Sequence, residues 1–211
     1  MKTISSTALT LSLIALGGAA MAATPPLPIR GTIDAVNGSV LSVTESSGAQ
    51  ISVTLAPNAT VTEVIPSSLS AVKPGTYVGT AAIKQPSGIY RAMELQVFPE
   101  SMRGVGQGTR QWNLAPHSTM TNGTVGGLAH AGGTVGTVSG SGDLTLTVND
   151  GSGTKNVLVP AGVPVVSYMP GSAADLQPGA HVIFFPSAGS TGASVTTSRI
   201  NVGENGLTPP M

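Results

Sequence analysis

Cysteine is absent from this 211-residue chain, and charge and aromatic rings are scarce: Asp, Glu, Lys and Arg make up 9% of it, and Phe, Trp and Tyr 3%. Without cysteine there is no disulfide and no thiolate nucleophile or ligand, so packing and hydrogen bonds alone hold the fold. Typical soluble domains carry about 25% charged residues. A chain this poor in cations cannot neutralise many phosphates along a duplex, so nucleic-acid binding lacks its main electrostatic term and no nucleic-acid partner is expected. No G-x-S-x-G is present, so nucleophilic hydrolysis would need a site dispersed over the fold. The acids are scattered, and Asp143, Asp150 and Asp175 fall at turns or a helix start, where local hydrogen bonding accounts for them. Beyond residue 30 no apolar run exceeds strand length, Val182-Ile183-Phe184-Phe185 being typical. A spanning helix needs about 20 apolar residues.

The amino terminus is a different kind of segment. Lys2 precedes an apolar run over 8–16, and Ala20-Met21-Ala22 supplies the small-residue pattern that signal peptidase reads. These features predict a signal peptide over 1–22 and a mature start at Ala23. The mature product is expected in the periplasm or outside the cell, with no membrane span. With no cysteine at the cleavage site, a lipoprotein is excluded. Loss of Lys2 leaves eight basic and nine acidic residues. Positive mean hydropathy and frequent Val, Ile and Thr argue for folded strands punctuated by Gly and Pro, against disorder.

The chain also repeats itself. A shift of 104 residues carries Val61 onto Val165, Pro66 onto Pro170, Pro74 onto Pro178, Gly75 onto Gly179, Val78 onto Val182 and Gly88 onto Gly192. A shift of 102 carries Gly31-Thr32-Ile33 onto Gly133-Thr134-Val135. Gly and Pro matches fix backbone geometry and not merely composition, so the period points to tandem duplication of a domain. In the first copy, alternating segments at 32–36 and 40–45 flank Asn37-Gly38, a hairpin signal. Segments 50–55 and 61–65 follow, then a short helical stretch at 66–72 with Ser67 or Ser68 as cap. Strands at 76–83 and 90–98 complete the set. Three strands, a short helix and two strands is the order of an OB-like barrel, with a flattened sandwich as the alternative. The expected fold is all-β: two tandem small OB-like barrels of five to six strands, each with one short helix. Their limits are 31–98 and 132–204, with a connector at 99–131 and a tail at 205–211. Modules of roughly 70 residues bury a modest share of their surface, so the copies should pack on each other or on the connector.

The connector has no counterpart in this alignment and concentrates distinctive side chains: Trp112 (the one Trp), His117 and His130, Met102 and Met120, Arg103 and Arg110. A flexible linker would be poor in these residues. One reading makes Trp112, Leu114 and Met120 a staple across the two barrels. The other makes Arg103, Arg110 and Trp112 a partner-binding surface. His117 and Met120 stand three apart, with His130 further on; imidazole with thioether suits copper, above all Cu(I). No other cofactor is expected. His181 takes the place of Tyr77 in the second copy and reads as a structural, half-buried ring.

The block M-R-G-x-G-x-G-x-R-x-W-x-L-x-P-x-S-x-M-T-N-x-T-V, spanning Met102 to Val125, resembles one that recurs in uncharacterised exported proteobacterial proteins. Their tandem repeats are similar to a small β domain of unknown function, and some carry the automatic label "metal ABC transporter permease". The likeness covers the mature chain through its Pro-Pro-Met end. It implies no established activity and transfers no residue's role. The permease label conflicts with a mature sequence that has no apolar run long enough to span a membrane. Three functions are expected from these readings: a non-enzymatic periplasmic binding or accessory protein for an envelope partner or small ligand; a copper-handling protein using connector His and Met; or an enzyme with a dispersed site acting on envelope polymers.

Overall fold

A computed structural model describes residues 27–130, 142–187, 190 and 192–210. The segment read as a signal peptide, the 133–135 match and Met211 lie outside the described residues. The described chain is mostly β-strand, with helical residues confined to three-residue 3-10 turns. Among the described residues no helix is long and apolar enough to cross a membrane.

The strands of the first half are β1 (Ile29–Asn37), β2 (Val40–Glu45), the long β3 (Gln50–Pro66), β4 (Tyr77–Lys84), β5 (Tyr90–Ala92) and β6 (Leu95–Val97). After a short edge strand β7 (Gly108–Gln111) come β8 (Ser118–His130), β9 (Leu144–Asn149), β10 (Thr154–Val159), β11 (Val165–Pro170), β12 (His181–Pro186) and β13 (Ser194–Gly203). The starts of β2 and β9, β3 and β10, β4 and β12, and β5 and β13 each differ by 104 residues, the period read from the sequence. Turn glycines obey it too: Gly75 and Gly179 have φ of 89° and 88°, a left-handed conformation open to a residue without Cβ. In the β1–β2 hairpin the loop is Gly38-Ser39, with Gly38 at φ 59° and Asn37 the last residue of its strand.

Each copy also carries its helical element in the expected place, shortened to one 3-10 turn: Leu69–Ala71 and Ala173–Asp175. The expected Ser cap is absent from the first, where Ser68 makes no capping bond and bonds Ser70 instead. In the second, Ser172 and Asp175 form a complete capping box. The third residue of the turn decides this, being a carboxylate at Asp175 and a methyl at Ala71.

Strand pairing departs from the expected plan of one barrel closed within each copy. β1 pairs with β2 and β2 with β3, β3 runs parallel to β13, β13 pairs with β12, and β12 returns to β1. This closed five-stranded barrel takes three strands from the first half and two from the second. Five of the remaining eight strands make a reciprocal circuit. β8 pairs with β9 and β9 with β10, β10 runs parallel to β5, β5 pairs with β4, and β4 with β8. The strand that takes β1's place beside β9 is therefore β8, from the stretch read as an unduplicated connector. Among the described residues, neither 31–98 nor 132–204 closes a circuit by its own pairings.

Alternation then builds the cores. Ile33, Leu41, Val43, Val53, Phe184 and Ile200 form the core of the closed barrel, with Leu176 packed among them. Val78, Leu95, Val125, Leu146, Val148 and Val157 form the core of the other circuit, with Val72 packed among them. Val72 and Leu176 are repeat equivalents, each following its own 3-10 turn and filling the circuit to which its following strands belong. Between the circuits, β3 continues past the barrel to pair with β11, and β11 runs parallel to β6. This bridge, with outward side chains of both circuits, encloses a third core.

Candidate functional site: the arginine-rimmed seam

The third core lies where the two circuits meet. It gathers Tyr77, Phe98, Trp112 and Tyr168, with Phe185 packed against them. The chain has seven aromatic residues, so five of the seven stand at this one seam. Phe98 stacks on Tyr168 with centroids 5.0 Å apart, Tyr77 tilts against Phe98 at 5.4 Å, and Trp112 lies 6.4 Å from Phe185. Strand direction explains the gathering. Phe184 faces the barrel interior, so Phe185, its neighbour, must face out toward the seam.

The connector brings Trp112 here. β7 pairs with β8, and the chain between them folds into a tight turn closed by the buried Ser118 hydroxyl. That hydroxyl donates to the Ala115 carbonyl at 2.7 Å, lies 3.2 Å from the Trp112 carbonyl and accepts from the Ala115 amide. Trp112 is 8% exposed and shares this core with Met120 (1% exposed) and Leu114, the three residues read as a staple. Its Nε1 is buried with no hydrogen-bond partner among the described residues.

Arginines line the rim. Arg110 lies over the Trp112 ring at 5.4 Å and donates to the Gly106 carbonyl at 2.7 Å. Arg199 lies 3.8 Å over Phe185. Arg103 lies 6.0 Å from the Tyr77 ring, donates to the Gly75 carbonyl and forms a bidentate pair with Glu100. Arg30 donates to Asn113, next to Trp112, at 2.8 Å. Guanidinium over an aromatic face is favourable by about 0.5–2 kcal/mol. Burial lowers the Arg110 pKa, and the like charge of Arg199 lowers it further. Neither Arg110 nor Arg199 forms an ion pair among the described residues.

Sequence reasoning missed the polar centre of the seam. Glu94 and Gln96 are 0% and 2% exposed. The Gln96 amide donates to both Glu94 carboxylate oxygens at 3.0 and 3.1 Å, the Ala81 amide donates at 2.7 Å, and the Tyr168 hydroxyl donates to Gln96 at 2.6 Å. Burial pushes the Glu94 carboxyl up to about 7, against the Ala81 and Gln96 hydrogen bonds and the charge of Arg30. Burial and the charge of Glu94 raise Tyr168 well above its ordinary value. The available signal was an acid set between apolar strand residues, Ala92-Met93-Glu94-Leu95. Arg199 and Phe185 carried no local mark at all.

The three residues named for copper have different surroundings. Met120 is buried, its sulfur 3.9 Å from the Gln96 amide, whereas His117 is exposed on the tight turn at φ 63°. His130 ends β8, and its side chain lies outside the described residues. Among the described residues no three His, Cys, Asp or Glu side chains group as metal ligands. His181 is half-buried and hydrogen-bonds Thr32 at 3.0 Å. The chain matches no protein-family model, no curated protein and no solved structure.

Proposed function

We propose that this chain is a non-enzymatic binding or accessory protein of the cell envelope, exported by its amino-terminal segment, and that it holds an anionic envelope polymer at the arginine-rimmed seam. Behind this reading we take the two strand circuits as OB-like modules that have exchanged strands. In each circuit the order is first, second, third, fifth, fourth and back to the first, with third and fifth parallel. OB-like barrels serve as binding platforms, oligosaccharides among their ligands.

One observation carries the functional reading: four of the chain's five arginines (Arg30, Arg103, Arg110 and Arg199) collect around the aromatic seam of an otherwise charge-poor protein. Planar guanidinium groups match carboxylate and phosphate, and the seam rings beneath them hold Arg110 and Arg199 in place. Copper handling gains no support from a thioether buried in the seam and an imidazole on an exposed turn. Calorimetric titration of the purified protein with polygalacturonate, polyphosphate and neutral dextran tests the reading. The anionic polymers should bind, with affinity falling as salt rises, and the R110Q/R199Q double variant should lose at least about tenfold. Equal binding of dextran, or unchanged affinity in the double variant, overturns it. Copper titration of the same sample tests the alternative.

A further inference from the structure

Glu94 sits where the chain leaves one circuit for the bridge. β5 runs parallel to β10, the chain bends at Met93 and Glu94, and β6 runs parallel to β11, which is tied to β3 of the barrel. The Glu94–Gln96–Tyr168 chain of hydrogen bonds crosses from β6 to β11, the strands that join the circuits. Every element packed on the carboxyl contributes. The Ala81 amide faces it from β4, Gln96 from β6 and the Tyr168 phenol from β11, while Arg30 acts through space from β1. Met120 of β8 touches Gln96. The titratable or charged groups in that shell are Tyr168 and Arg30, with Arg199 acting in turn on Tyr168. No cation ion-pairs with Glu94 among the described residues.

We infer that Glu94 is a proton-dependent latch: with its carboxyl neutral the bridge is held closed, and with its carboxyl ionised the seam carries a buried charge and loosens. A charge taken out of water without an ion-pair partner opposes the closed state. The sign follows from the direction of the shift. A folded value of about 7 against an ordinary 4.5 means that the folded state holds the proton more tightly. The stabilisation is complete below about 4.5 and is lost as pH rises through about 7. This inference does not depend on the anionic partner.

Two measurements test it. The 13C shift of the Glu94 side-chain carboxyl, followed by NMR in the intact protein, should titrate near pH 7; an inflection near 4.5 overturns the proposal even if no variant folds. Urea unfolding followed by circular dichroism should show the wild-type folding equilibrium constant falling by up to about a hundredfold between pH 4.5 and 8. Glu94→Gln should flatten that fall. The three histidines are common to both proteins, so the difference between the curves isolates Glu94. Emission of Trp112, in the same core, should shift to the red across the interval in the wild type alone. Equal pH slopes in the two proteins, or emission that moves equally in both, refutes the latch.

Discussion

Replacing Trp112 with alanine should destabilise the protein by about 3 kcal/mol, and the number follows from opposing effects. An indole buried to this degree removes roughly 200 Å² from water, about 5 kcal/mol at 25 cal/mol per Å². Measured losses for large buried aromatics run about 3–5 kcal/mol, because the cavity partly collapses. The wild type already bears the cost of an unpartnered Nε1, on the order of 1–3 kcal/mol, and alanine removes that cost as well. Trp112→Phe isolates this last effect: it keeps most of the ring and deletes the orphan N–H, so it should fall within about 1 kcal/mol of wild type. The assay is urea unfolding by far-ultraviolet circular dichroism, since alanine abolishes the fluorescence probe. Both circuits draw strands from both halves, so a single transition should shift without splitting. A loss below about 1 kcal/mol for Trp112→Ala, typical of surface positions, would refute the staple. Two separated transitions would refute the interlocking of the circuits.

Other perturbations reach other parts of the structure. At Gly123 an added Cβ would collide with the Asn149 carbonyl oxygen, a backbone atom that cannot swing away; Gly123→Ala should cost about 1–3 kcal/mol in the same denaturation assay. Asp150 is buried, pairs with Lys155 at 2.9 Å and accepts from Thr109 and Ser152. Burial opposes its ionisation, but those partners outweigh it and hold its carboxyl well below the usual range. A depressed value contributes stability above the ordinary pKa and loses it as pH falls. Lys155→Met should therefore cost about 3 kcal/mol at neutral pH and progressively less in acid, as measured by unfolding at pH 7 and pH 3. His117, held at φ 63° on an exposed turn, should yield a more stable protein as glycine, by roughly 1 kcal/mol in thermal unfolding.

The parts of this fold legible in the sequence are those encoded over a few residues. Alternation located the strands, Gly75 and Gly179 marked left-handed turns, and Pro66 and Pro170 opened the two 3-10 turns in register. The candidate site was half visible. Trp112, Arg103 and Arg110 stood out as rare side chains in one segment, and the structure sets them at one seam. Arg199, Phe185, Tyr168 and Glu94 were not visible as a group, because they converge from β13, β12, β11 and the β5–β6 bend, and no local pattern joins them. His117 and Met120 are close in sequence, yet the turn at His117 leaves the imidazole exposed while the next strand turns the thioether inward.

By itself, the sequence determined a duplicated set of short strands, their inward and outward faces, and the turns between them, because backbone preference and side-chain alternation act over neighbouring residues. Tertiary structure decided which copy each strand joins. Strands that recur at a spacing of 104 residues offer alternative partners, and backbone hydrogen bonding with alternation does not choose between pairing within a half and pairing between halves. The choice falls to the long-range packing: β3 runs on past the barrel to meet β11, β8 takes the first-strand position beside β9, and closing both circuits this way buries Trp112 and its aromatic neighbours at the seam.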